Sequence, residues 1–227
     1  MKVIVIIPAF NEEESIELVL KDIPRELASE IIVVDNNSSD HTSVRAKRGG
    51  ATVLSEPKRG YGRACLKAID YAARLNPGVV VFLDADYSDY PDEMCKLLKK
   101  IEEGFDLVIG SRLRGNAEPG ALLPQARFGN QLSVFLIKHL FGYQYTDLGP
   151  FRAIRWNELL KLNMSDKNFG WTVEMQIKAA KMKMNVTEVP VSYRKRIGVS
   201  KVSGTLSGTI KAGSKILYTI FKHAIVN

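Results

Sequence analysis

Cysteine and long apolar runs are scarce in this 227-residue chain, and each scarcity excludes a class of protein. The two cysteines, Cys65 and Cys95, lie in predicted helices without the spacing of metal ligands, which indicates reduced packing residues rather than a disulfide framework. No stretch reaches the roughly 18 apolar residues that a membrane-spanning helix needs. The first apolar run is short and is followed by Pro8 and three glutamates, unlike a secretory signal. A cytoplasmic location is therefore expected.

Acidic residues are absent after Glu188, whereas seven basic residues follow it. These are Arg194, Lys195, Arg196, Lys201, Lys211, Lys215 and Lys222. Their number equals the formal net charge of +7, so the basic excess lies at one end of the chain. A nucleic-acid-binding protein with structural aspartates is one class that carries such charge. The chain lacks the interleaved aromatic and basic residues typical of that class, so no nucleic-acid partner is predicted.

Apolar runs and helical patterns alternate for more than a hundred residues. Strands are predicted at 3–7, 31–34, 51–54, 79–83 and 107–109, and helices at 63–75 and 91–103. Asn11 and Glu14 have the spacing of a capping box at the start of the first helix. This order predicts an α/β protein with a doubly wound, mostly parallel sheet flanked by helices.

The predicted strand at 79–83 ends abruptly in Asp84-Ala85-Asp86. Open α/β sheets bind ligands beyond the carboxyl ends of their strands, and two carboxylates placed there can converge on one hard cation. Oxygen ligands suit Mg²⁺ or Mn²⁺, which commonly neutralise phosphate charge. Asp84 and Asp86 are therefore predicted metal ligands. The alternative is that both are turn residues that cap the next helix.

Four motifs taken together resemble those of the family 2 glycosyltransferases, which have a nucleotide-sugar-binding fold of the GT-A type. They are IPAFNEE at 7–13, VDNNSSD at 34–40, DAD at 84–86 and GSR at 110–112. Three further segments are similar to the polyprenyl-phosphate (dolichol-phosphate type) members, especially the glucosyltransferase-like branch. These are TDLGPFR at 146–152, GWTVEMQ at 170–176 and YRKRIGVSK at 193–201. The resemblance, over residues 1 to about 208, implies metal-dependent, inverting transfer from a nucleotide sugar, UDP-glucose being the expected donor, to a polyprenyl or dolichyl phosphate.

The donor site is predicted partly from this resemblance and partly from charge. By resemblance, the loop from Pro8 to Glu12 and Asp35 contact the base and ribose. The predicted nucleotide-sugar contacts are Pro8, Ala9, Phe10, Glu12, Asp35, Lys58, Gly60, Asp84, Ala85, Asp86 and Arg112. Asp35 has a simpler interpretation as a turn aspartate, and the basic turn at Lys58 and Gly60 is equally typical of a solvated turn.

The acceptor site is predicted from the chemistry of a phosphate. A polyprenyl phosphate is already ionised near neutral pH, so it needs a cationic clamp more than a general base. The candidates are Arg112, Arg127, Arg196 and Lys201, and the alternative for each is an exposed residue in a salt bridge. Asp147 and Glu174 are predicted to join Asp84 and Asp86 as catalytic residues, either orienting the sugar or acting as base for a hydroxyl acceptor. Glu174 is equally well explained as a hydrogen-bonded structural residue.

Two departures from family motifs narrow the predicted donor and the predicted type of transfer reaction. Ser88 stands where mannosyl-type members often carry a metal-binding glutamine, which disfavours GDP-mannose as donor. Arg152 stands where processive synthases begin a Gln-x-x-Arg-Trp motif, which argues against a polysaccharide polymerase and leaves Trp156 as a core residue. An enzyme of the same fold that glycosylates a soluble or protein-linked hydroxyl remains the alternative.

The last residues, 206–227, are predicted to form a basic amphipathic helix after a catalytic domain at 1–205. Apolar residues at 210, 213, 217, 220, 221, 224 and 225 follow helical spacing, with Lys211, Lys215 and Lys222 on the other side. Such a helix either packs on the domain or lies on an anionic membrane surface. The second interpretation fits an isoprenoid acceptor and predicts a peripheral enzyme on the cytoplasmic membrane face.

Overall fold

The computed structural model describes residues 1–198 and 206–225. Seven strands form one sheet in the order β3-β2-β1-β4-β6-β5-β7. They are β1 (Val3–Ala9), β2 (Glu30–Asp35), β3 (Thr52–Ser55), β4 (Val79–Phe82), β5 (Leu107–Ser111), β6 (Arg152–Arg155) and β7 (Val186–Pro190). Only β6 runs antiparallel to its neighbours in this sheet. The prediction of a mostly parallel sheet is confirmed.

Eight α-helices in the described ranges cover both faces of this sheet. They are α1 (Ile16–Asp22), α2 (Thr42–Arg48), α3 (Tyr61–Ala72), α4 (Met94–Glu102), α5 (Pro124–Phe141), α6 (Trp156–Leu162), α7 (Trp171–Lys181) and α8 (Leu206–Ile225). Short 3-10 helices at Ala73–Leu75 and Pro91–Glu93 extend α3 and precede α4. Residues of α1, α2 and α4 form one apolar core, and residues of α3 and α5 to α8 form the other.

Strands β1 and β4 are apolar throughout because both of their faces are buried. Along β1, Ile4 and Ile6 enter one core, while Val3, Val5 and Ile7 enter the other. This alternation follows from the two-residue repeat of a strand placed between two helical layers. It leaves polar residues only at the strand ends, where the site lies.

Two local predictions were wrong. Helix α1 begins at Ile16, and Asn11 does not cap it. Instead, Asn11 has a φ of 53° and its Oδ1 accepts a hydrogen bond from the Ser39 N–H at 2.8 Å, which joins the loops after β1 and β2. Cys65 is a buried packing residue, but Cys95 is exposed on α4.

Helix α8 is present and packs against α5 and α7. Its Ala212, Thr219 and Ile220 are buried. The apolar residues Ile210, Tyr218, Phe221 and Ile225 are instead exposed. Lys215 was wrongly placed on a solvated lysine face, because its Nζ lies 2.6 Å from Asp166 Oδ2. Among the described helices, none has both the length and the apolar character needed to cross a membrane.

Candidate active site

A cavity of about 510 Å³ lies beyond the carboxyl ends of β1 and β4. It is bounded by the start of α3 and by the loop that precedes α7. Nine residues predicted for the site line it, namely Pro8, Ala9, Phe10, Glu12, Gly60, Asp84, Ala85, Asp86 and Arg196. Asn36, Arg59, Tyr61, Asn168 and Phe169 complete the lining. Donor, metal and acceptor candidates from distant parts of the chain thus share one space.

The two candidate metal ligands are held in place by hydroxyl groups. The Tyr61 hydroxyl donates to Asp84 Oδ1 at 3.2 Å. The backbone N–H of Ser88 donates to Asp86 Oδ1 at 3.0 Å, and the Ser88 hydroxyl bonds the same oxygen. Ser88 therefore orients Asp86, and its hydroxyl is already engaged. Each carboxylate keeps an oxygen that is not used in these bonds.

The electrostatics around these carboxylates suit a divalent cation. Burial and repulsion from Asp86 raise the pKa of Asp84 from 3.8 to about 7. Burial also raises the pKa of the neighbouring Asp89, whose two carboxylate oxygens are buried without a hydrogen-bond partner. In the described ranges no three His, Cys, Asp or Glu side chains are placed to bind one ion together. The oxygens fit Mg²⁺ or Mn²⁺ held by one or two carboxylates, with phosphate oxygens completing the shell.

Arg196 is the cation nearest to these carboxylates in the cavity lining. Its Nη1 lies 3.0 Å from Asp86 Oδ2, and its Nη2 lies 3.0 Å from Glu12 Oε1. Only about a quarter of its side chain, 27%, is exposed. A guanidinium in this position can bind a phosphate that enters the cavity, since its planar donors match two phosphate oxygens.

The turn before α3 brings a second guanidinium into the cavity. The Asn36 side chain donates to the carbonyls of Glu56 and Lys58, at 3.1 and 2.9 Å, and accepts from the Gly60 N–H at 2.7 Å. This fixes the turn so that Arg59 lies over the Phe10 ring, 4.1 Å from its centroid. Arg59 and Phe10 thus form an aromatic and cationic surface where a nucleotide can bind.

Three predicted donor contacts, Asp35, Lys58 and Arg112, do not line the cavity. Asp35 Oδ1 accepts a hydrogen bond from the Ser38 N–H at 3.1 Å, which is the geometry of a turn aspartate. Lys58 is exposed, and its backbone N–H bonds Glu56. The cationic contribution of this turn to the cavity therefore comes from Arg59.

Arg112 and Asp147 bind each other. Arg112 Nε and Nη2 donate to the two oxygens of Asp147 at 2.8 and 2.7 Å, and the Asp147 side chain is 1% exposed. Burial acts to lower the pKa of Arg112, but Asp147 raises it more strongly. Neither residue lines the cavity. Arg127 is exposed on α5, and Lys201 lies outside the described residues.

Glu174 lies in a different cavity, of about 210 Å³, between α7, α8 and the loop before α7. Its carboxylate accepts hydrogen bonds from the backbone N–H groups of Ser165 and Asp166 and lies 2.7 Å from Lys178 Nζ. The side chain is 1% exposed. These contacts support the structural interpretation of Glu174. Its side chain does not line the active-site cavity, so no contact there supports the predicted catalytic role.

Glu174→Gln is expected to destabilise the protein in a pH-dependent way. Burial acts to raise the pKa of Glu174, but its bonds to Lys178, Asp166 and Ser165 outweigh burial and lower it below 4.5. The native carboxylate therefore contributes stability above that pH and loses it as the pH falls through the lowered pKa. We expect a loss of about 1–3 kcal/mol at pH 7, measured by urea unfolding. A difference from the wild type that stays constant down to pH 3 would contradict this assignment.

Comparisons with known proteins identify the family of this chain. The family model described as glycosyl transferase family 2 matches residues 4–163, so the chain belongs to that family. A dolichyl-phosphate hexose transferase of Haloferax volcanii is 34% identical over 209 residues, covering 90% of this chain and 88% of that one. A polyprenol monophosphomannose synthase of Mycolicibacterium smegmatis is 31% identical over 224 residues, covering 90% and 82%. The enzyme is a nucleotide-sugar glycosyltransferase.

A solved structure identifies the fold. Glucosyl-3-phosphoglycerate synthase of Mycobacterium tuberculosis, in complex with Mn²⁺, UDP and phosphoglyceric acid, superposes with a TM-score of 0.77 at 22% identity. The match covers 100% of this chain and 79% of that one. The GT-A fold is confirmed. That neighbour was crystallised with a divalent metal and a uridine nucleotide.

Proposed function

We propose that this enzyme transfers a hexose from a uridine diphosphate sugar to an isoprenoid phosphate, with Mg²⁺ or Mn²⁺ bound by Asp84 and Asp86. The acceptor assignment rests on the observation that the candidate base carboxylates are already paired with cationic side chains. Asp147 is paired with Arg112, Glu174 with Lys178, and Glu12 with Arg196, while the unpartnered Asp89 does not line the active-site cavity. A hydroxyl acceptor needs a general base, whereas an ionised phosphate does not. An isoprenoid phosphate therefore fits the described site better than a hydroxyl.

In the proposed reaction, a phosphate oxygen of the acceptor attacks the anomeric carbon of the donor sugar. The bond from that carbon to the diphosphate oxygen breaks, and the nucleoside diphosphate leaves with the bonding electrons. Attack from the face opposite to the leaving group inverts the anomeric centre. When bound, the divalent cation supplies positive charge to the diphosphate. Arg196, whose Nη1 lies 3.0 Å from Asp86 Oδ2 in the same cavity, would bind the acceptor phosphate.

The lipid acceptor requires contact with a membrane, and α5 and α8 supply a surface for it. Helix α5 exposes Phe128, Phe135 and Leu140, and α8, which packs against it, exposes Ile210, Tyr218, Phe221 and Ile225. Exposed Lys138 and Lys211 stand on the same two helices. Large apolar side chains beside lysines are typical of a helix that lies at an anionic lipid surface. In this proposal the enzyme is peripheral on the cytoplasmic face of the membrane.

The donor assignment is tested by nucleotide binding. Ser88 bonds Asp86 and stands where mannosyl-type members carry a metal-binding glutamine, which favours uridine over guanosine nucleotides. Calorimetry in the presence of Mg²⁺ or Mn²⁺ is expected to give at least about tenfold tighter binding of UDP than of GDP. Metal-dependent binding of GDP that is tighter than that of UDP would refute the donor assignment and leave the metal site intact.

A further inference from the structure

The segment from Ser165 to Gly170 separates the active-site cavity from the second cavity. Asn168 and Phe169 line the active-site cavity beside Asp84 and Asp86. On its other side, Ser165, Asp166 and Lys167 line the second cavity together with residues of α8. Neither the metal motif nor the donor motifs include this segment. We call it the wall segment.

Asp166 organises the wall segment through its carboxylate. Its Oδ1 accepts hydrogen bonds from the backbone N–H groups of Asn168, at 2.7 Å, and Gly170, at 3.1 Å. Its Oδ2 lies 2.6 Å from Lys215 Nζ of α8, and the Asp166 side chain is only 6% exposed. One buried carboxylate therefore fixes the backbone on both sides of Phe169 and joins it to the C-terminal helix.

The wall segment lies directly on the turn that begins α3. A Cβ at Gly60 or Gly62 would collide with the carbonyl oxygens of Lys167 and Asp166, respectively. The Arg63 N–H also donates to the Lys167 carbonyl at 3.2 Å. Between the two glycines is Tyr61, whose hydroxyl bonds Asp84. The two glycines thus allow a backbone contact that continues to a candidate metal ligand.

Helix α8 approaches the wall segment equally closely. A Cβ at Gly170 would collide with Thr219 Oγ1 of α8 and with the Asp166 carboxylate. The Lys215 side chain is 34% exposed, so part of its charge is screened by water, whereas its partner is buried. A continuous set of contacts therefore runs from α8 through Asp166 to the lining of the active-site cavity.

We infer that Asp166 is a positioning residue for the donor site, and that Lys215 of α8 holds it there so that Asn168 and Phe169 contact the bound nucleotide sugar. This inference rests on the proposed function in one respect, that the larger cavity binds a nucleotide. It makes α8 part of the active-site architecture, in addition to any contact with lipid. The two positions are expected to act as one unit, because each carries one end of a single charge-assisted hydrogen bond.

A double-mutant cycle with metal-dependent UDP binding as the readout tests this inference. Lys215→Met and Asp166→Asn are each expected to weaken binding by about tenfold, since a charge-assisted hydrogen bond holds the wall segment. The double variant is expected to bind UDP with the same affinity as whichever single variant binds it less tightly. Lys215→Arg, which keeps the charge, is expected to bind UDP nearly as the wild type does. The control is Lys161→Met, which breaks a surface pair with Glu158 on α6 away from both cavities.

Thermal unfolding of each variant separates a displaced wall segment from a general loss of structure. Asn168→Ala, which removes a cavity-lining side chain and leaves Asp166 and Lys215 in place, is expected to weaken UDP binding without lowering the unfolding temperature. Wild-type affinity in both Lys215→Met and Asp166→Asn would overturn the inference, as would losses that simply add in the double variant. Absence of UDP binding by the wild type would instead count against the proposed donor.

Discussion

Asp86→Asn is expected to lower turnover by at least about a hundredfold, the size typical of losing one electrostatic contact to the transition state. The substitution keeps an oxygen that can accept the hydrogen bonds from Ser88. It removes the charge that would bind the cation and that now faces Arg196 at 3.0 Å. Affinity for Mn²⁺, measured by calorimetry, is expected to fall together with turnover.

The control for this variant is Asp92→Asn, an equal change of charge at an exposed residue near the start of α4. It is expected to leave turnover and Mn²⁺ affinity unchanged. Thermal unfolding of Asp86→Asn checks that the fold persists. Full activity of the wild type in excess EDTA would contradict the metal assignment, whatever the behaviour of the variants.

Lys138→Glu combined with Lys211→Glu is expected to reduce binding to anionic vesicles by at least about thirtyfold. Each lysine near such a surface contributes about 1 kcal/mol, and the glutamates add repulsion. Both side chains are exposed on the helices that also expose Phe135 and Phe221. These two lysines are chosen because Lys215 is paired with Asp166 and Lys222 lines the second cavity. Flotation with vesicles measures the effect.

The matched control reverses the charge of two lysines on the opposite face of the sheet. Lys47 on α2 and Lys99 on α4 are exposed, and these helices pack in the other apolar core. Lys47→Glu with Lys99→Glu changes the net charge equally and is expected to reduce vesicle binding much less. Turnover of a short, detergent-soluble isoprenoid phosphate is expected to survive in both variants. Equal flotation of the two double variants would argue against a lipid-facing surface on α5 and α8.

The sequence predicts β1 to β5 because their signals are local, but it does not predict β6 or β7. Strands buried on both faces must be apolar throughout, so β1 and β4 are visible as continuous runs, and their ends mark the edge where Asp84 and Asp86 lie. The placement of Pro8 to Glu12 at the same edge follows from the pairing of β1 with β4. These features depend on secondary structure and strand order alone.

Sequence patterns did not predict the contacts between residues that are far apart in the chain. Asn168 and Phe169 reach the cavity only because glycines at 60 and 62 let a distant backbone approach, and no periodicity marks that meeting. The pairing of Arg112 with Asp147 likewise joins two residues that were each predicted to act on the substrate.

Helix α8 gives a third example of the same limit. Its spacing predicted an amphipathic helix, but which side faces the protein depends on α5, α7 and Asp166. The buried side includes Ala212 and Thr219, and larger apolar residues remain in solvent. The pattern of apolar residues therefore predicted the helix correctly, but it wrongly placed Lys215 among the solvated lysines.

The most direct test of the proposed function is the partition of the product. The enzyme is incubated with Mg²⁺ or Mn²⁺, a polyprenyl phosphate and a panel of radiolabelled nucleotide sugars, and the mixture is extracted with organic solvent. Sugar transfer to the lipid phosphate is expected to move label from UDP-glucose or a related uridine donor into the organic phase. The transfer is expected to require the divalent metal and to be lost in Asp86→Asn. Label that is transferred but stays in the aqueous phase, as a soluble glycoside, would contradict a lipid acceptor.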